Sequence, residues 1–102
     1  MKITDLPDCL DLGGGHTIRW FTRNGEDVIG AVEEHPSLTE SRYHKKGEPC
    51  AGSIYFNVPE CRMGDVPRWA VESWEPLTIS PSVLCKLCGN HGFIREGKWV
   101  PA

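Results

Sequence analysis

Cys85 and Cys88 stand in the run CKLCGNHGF, with Gly89 directly behind them and His91 three positions beyond the second cysteine. Cysteines at this spacing, closed by a glycine, form a tight knuckle that aims both sulfurs at one point and lets backbone N–H groups approach them. His91 is near enough in sequence to bring an imidazole to the same point. Thiolate and imidazole are borderline-soft ligands, and together they select zinc, a d¹⁰ ion that favours a tetrahedral set. A structural zinc takes four ligands and this run offers three. Cys50, in the Gly/Pro-bounded turn GEPCAGS, is the first choice for the fourth; Cys61 and then His44 come after it. A redox C-x-x-C pair would open a helix, whose dipole lowers a thiol pKa. Gly89, Asn90 and Gly92 argue against a helix here.

The elements that must hold such a site read as strands. Residues 16–22 (HTIRWFT) put Ile18 and Trp20 on one face and Arg19 and Phe21 on the other. Asn24-Gly25 then signals a hairpin, because both residues tolerate positive φ, and residues 27–32 form the return strand. Residues 1–15 end in three glycines and read as a flexible lead-in, and 33–49 read as a polar, turn-rich connection in which Ser37 and Glu40 have capping-box spacing. A strand is expected over 51–58, and two short strands with a bend at Pro76 over 68–80. Glu96-Gly97 joins the last two strands, so the knuckle runs into a hairpin, the local form of a zinc ribbon. The expectation is a mainly β fold: one small antiparallel β domain over 1–102, stapled by zinc at its C-terminal end.

Composition fits that picture. Eleven Gly and eight Pro among 102 residues leave little room for long helices, and a small loop-rich core needs a staple. The formal charge of −3 sits in the N-terminal half, which argues against strong non-specific binding to duplex DNA. Lys86, Arg95 and Lys98 near the end form a patch too small for a nucleic-acid claim. The opening MKITDLPDC is polar and broken by Pro7, so neither a signal peptide nor a membrane span is read there. Five cysteines in a reducing cytoplasm then point to metal rather than disulfides.

Other candidate residues are aromatic and basic. Trp20, Trp69, Trp74 and Trp99 are above all core formers. The sharper expectation is a binding surface made by Trp20 and Trp69 with Arg19, Arg68 and His16, suited to a protein hot spot or to stacking with phosphate capture. Catalytic signatures are missing: there is no G-x-S-x-G elbow, no phosphate loop ending in G-K-[ST], no H-E-x-x-H helix and no H-x-E of a zinc deaminase.

From Pro67 to Trp69 and from Glu75 to Ala102 (EPLTISPSVLCKLCGNHGFIREGKWVPA) the chain resembles a family of small phage and prophage proteins of unknown function that end in SPS…C-x-x-C-x-x-HGFI…G-x-W. GGGHTIRWF and GEPCAGSI are more loosely similar. The resemblance implies a phage or prophage origin and carries over Cys85, Cys88 and His91 as metal ligands, with Cys50 beside them. A monooxygenase label attached to some relatives implies copper chemistry, which needs a His-rich site that this chain lacks. The expected function is a non-catalytic, zinc-binding cytoplasmic protein that engages a host protein or sequesters a nucleotide signal of host defence. The alternative is a metal-dependent nuclease of HNH type, or its accessory, which would need a coordination position open to water.

Overall fold

The computed structural model describes residues 1–40 and 45–102, and His44 lies outside them. Among the described residues nine strands and one short 3₁₀ turn (Ile3–Asp5) make a mainly β fold. Strands β1 (Cys9–Gly13), β2 (His16–Thr22), β3 (Val28–Pro36), β4 (Pro49–Phe56), β5 (Arg68–Trp74) and β6 (Leu77–Ser80) form one sheet in sequence order. Among the described residues only β4 and β5 pair in parallel, through Tyr55–Arg68 and Phe56–Trp69. A second sheet holds β7 (Val83–Leu84), β8 (His91–Arg95) and β9 (Lys98–Pro101), all antiparallel. No helix among the described residues is long and apolar enough to cross a membrane.

Alternation explains the packing. Ile18 and Trp20 on β2, Ala31 on β3 and Ile54 and Phe56 on β4 point to one side, where Leu77, Ile79, Val83 and Ile94 meet them. The small sheet thereby closes over the large one. Within the small sheet Gly92 leaves room for the Trp99 indole, from which a Cβ there would lie 2.5 Å, and Trp99 in turn stacks on His16 of the large sheet. At the β8–β9 turn Glu96 and Gly97 both have positive φ, 50° and 73°, as a two-residue hairpin of this twist requires.

The expected strands at 16–22, within 68–80 and around Glu96-Gly97 are present, and 51–58 shifts to Pro49–Phe56. Two differences matter. Residues 1–15 are not merely a lead-in, because Cys9–Gly13 pair with β2 before Gly14 and Gly15 turn the chain. The return strand also does not stop at Val32: β3 continues to Pro36, keeping its ladder with β4 down to Pro36–Pro49. That extension carries Glu33 and His35 onto the core face.

Candidate metal centre and serine–histidine pair

Four side chains from three places converge at the seam of the two sheets. His35 on β3 stands directly opposite Cys50 on β4. The knuckle brings Cys85 and Cys88 over that pair, and one ligand atom from each of the four lies within 4.8 Å of all the others. His35 Nε2 is 3.3 Å from Cys88 Sγ, and Cys50 Sγ is 3.5 Å from Cys85 Sγ. The knuckle is held by Gly89 N donating to Cys85 O and Cys85 N to Asn90 O, both at 2.8 Å, and positive φ at Gly89 lets the chain turn.

The electrostatics fit a cation. Burial, followed by the neighbouring Cys85 and Cys88 thiols, pushes the Cys50 thiol up to about 12. Burial also works to raise Cys88, but backbone N–H groups of Leu38 and Asn90, with His35 and Cys85, outweigh it and bring that thiol to about 6. Three sulfurs this close cannot all ionise without a positive charge among them, whereas a metal needs them ionised. The four residues could hold a metal ion, and three Cys with one His is an ordinary composition for a four-ligand zinc site.

Behind His35 lies a shell that orients it. His35 Nδ1 and His16 Nδ1 each bond one oxygen of Glu33 at 2.5 Å, and Glu33 is 2% exposed. A carboxylate on the far nitrogen fixes the tautomer that leaves Nε2 free for a metal. Burial works to lower the His35 pKa, but the hydrogen bond that His35 donates to the Glu33 carboxylate leads the influences that raise it overall. Glu33→Gln should therefore weaken metal affinity by about 10- to 100-fold. Competition against a chromogenic chelator would measure it, and unchanged affinity would remove Glu33 from the site.

His91, expected as a ligand, is not in this cluster; His35 stands in its place. The cause is strand alternation. Val83 pairs with Gly92 and Leu84 with His91. Val83, Cys85, Gly92 and Ile94 therefore point inward, while Ser82, Leu84, His91 and Phe93 point outward. His91 is exposed, on the opposite side of the sheet from the sulfurs. Cys61 is buried but outside the cluster, and Cys9 is exposed.

On that outer face His91 Nε2 lies 2.8 Å from Ser82 Oγ. The two residues are diagonal neighbours across β7 and β8, a spacing that long side chains bridge. Ser82 is steadied by Trp69, whose Nε1 donates to the Ser82 carbonyl at 3.1 Å. Among the described residues no carboxylate lies within 4.0 Å of either His91 ring nitrogen. A cleft of about 500 Å³ opens beside His91, walled by Pro36, Leu38, Trp99 and Pro101. His16 also lines it, its ring stacked on Trp99 with centroids 3.8 Å apart. A serine hydroxyl on a histidine nitrogen is two of the three parts of an activated-nucleophile arrangement; of the two residues it is His91 that lines the cleft.

The expected aromatic and basic surface is not assembled. Trp20 is 8% exposed and donates to the Pro7 carbonyl from within the core, while Arg19 projects from the other face of β2. His16 is buried against Glu33, Trp69 is half-buried, and Arg68 donates to the carbonyls of Cys61 and Gly64. Sequence reasoning missed three residues. Glu33 and His35 were legible had the alternation of β3 been carried past Val32. Ser82 stands in the SPS run of the quoted signature but in no catalytic motif, and counting in twos back from the inward Cys85 places it outward, as counting forward places His91.

No curated protein and no solved structure matches the chain significantly. Three cysteines of the cluster and the whole Ser82–His91 pair lie in residues 49–102, which match the model of a family described as bacterial ubiquitination-like system serine protease (BubE). That segment is more than half of the sequence, and the chain belongs to the BubE family.

Proposed function

We propose that the protein is a zinc-stapled serine hydrolase that cleaves an acyl bond to a ubiquitin-like protein or its precursor. The observation that carries this is the 2.8 Å contact of His91 Nε2 with Ser82 Oγ on an exposed face beside the cleft. The family description, a serine protease of a ubiquitination-like system, supports the reaction class and the substrate. In the reaction His91 takes the hydroxyl proton as Ser82 Oγ bonds to the scissile carbonyl carbon. As the tetrahedral intermediate collapses, the bond to the leaving amine or alcohol breaks and that group receives the proton from His91. Water then attacks the Ser82 ester with His91 as base again, releasing the carboxylate and restoring the serine. Trp69 positions the nucleophile through its backbone carbonyl.

Zinc is assigned to Cys50, Cys85, Cys88 and His35, where it would fix the knuckle from which β8 and His91 depart. Four protein ligands leave no place for a water of lowered pKa, so the metal's part is structural. That geometry also disfavours the nuclease alternative.

A fluorophosphonate probe tests the reading directly. Covalent labelling should map to Ser82 by peptide mass spectrometry and disappear in His91→Ala. If Ser82 stays unlabelled and no acyl bond is cleaved, the hydrolase reading is wrong. The non-catalytic binding role towards a host protein or nucleotide would then replace it.

A further inference from the structure

The outer face of the β7–β8–β9 sheet carries more than Ser82 and His91. Leu84 and Val100 are 52% and 39% exposed, and Phe93 lies between them, paired with Val100 across the ladder. The three form a small apolar strip on the same face as two cations. One step further along, Arg95 stands opposite Lys98. The Arg95 guanidinium sits 4.3 Å over the Phe93 ring, and the His91 and Phe93 rings are 6.4 Å apart, so all three lie on one face. Among the described residues neither Arg95 nor Lys98 is in an ion pair. Glu96 is the single acidic residue from 83 to 102.

We propose that this face is the docking surface for an extended acidic segment of the protein substrate. An apolar side chain of the segment rests on Leu84, Phe93 and Val100, and a carboxylate beyond it meets Arg95 and Lys98. The inference rests on the Ser82–His91 reading for its starting point. Arg95 stands four positions beyond His91, about 13 Å along the strand, so the carboxylate falls roughly four residues from the scissile carbonyl. Charge complementarity selects the occupant. Two cations behind an apolar strip suit a peptide carboxylate, whereas a nucleic acid needs a longer row of them and would meet a chain of net charge −3.

The test separates docking from turnover by measuring binding to Ser82→Ala, which cannot cleave. Two labelled ten-residue peptides would be titrated by fluorescence anisotropy, both with a Leu two residues from a central Gly-Gly, and one with Glu, the other with Gln, four residues from it. The Glu peptide should bind about 3- to 10-fold tighter in low salt, with the preference shrinking as salt is raised. Adding Arg95→Gln and Lys98→Gln should erase the preference, and Phe93→Ala should weaken both peptides. Melting temperature and metal content confirm that these substitutions leave the fold intact. Equal affinity for the two peptides would overturn the proposal, as would an oligonucleotide of equal charge displacing the Glu peptide more strongly than the Glu peptide displaces itself. A Glu preference in a protein that cleaves nothing upholds the docking surface and rejects only the hydrolase reading.

Discussion

Ser82→Ala is expected to abolish acyl hydrolysis, lowering kcat by about 10³-fold or more, without changing the melting temperature or metal content. The physical reason is that in the proposed mechanism Oγ is the atom that forms the covalent bond, and it lies on a partly exposed face where its loss opens no cavity. His91→Ala should cost nearly as much, because an unassisted serine hydroxyl is a poor nucleophile at neutral pH. The double variant should be no worse than either single one, since the two groups act as a unit. Cleavage of a model ester and of a ubiquitin-like fusion would report the effect. A full-rate Ser82→Ala protein would end the serine mechanism. A His91→Ala protein that loses its metal would show that His91 belongs to the cluster after all.

Removing the metal should have the largest effect on stability. Structural zinc in small domains contributes on the order of 10 kcal/mol of apparent binding energy. Even ~3 kcal/mol of that would move the melting temperature by roughly 12–24 °C in a chain of this size. Chelation should therefore produce a steep loss of stability that added zinc reverses. His35→Ala and Cys85→Ser should each lose the stoichiometric metal, while Cys61→Ser should keep it. Elemental analysis of the purified variants decides this, and a fresh protein with no metal would refute the centre. Acid should act in the same direction as chelation. Cys50, pushed up to about 12 without a metal, must give up its proton to become a ligand, so binding releases protons and affinity falls as pH falls.

The sequence alone determined what depends on short spacings. The β2 strand follows from its period of two, the last hairpin from Glu96-Gly97, and the knuckle from Cys85, Cys88 and Gly89. These are local matters, settled by sterics and by the pleat. What required tertiary structure was which distant residue completes each group. Register between β3 and β4 put His35 opposite Cys50, so the fourth position went to a residue fifty positions before the knuckle and not to the nearby His91. The pleat of β7 and β8 then turned His91 outward onto Ser82, nine residues away, because inward and outward places alternate along a strand whatever a side chain could bind. Proximity in sequence suggested a ligand; the register of two ladders made the same histidine a partner for a hydroxyl.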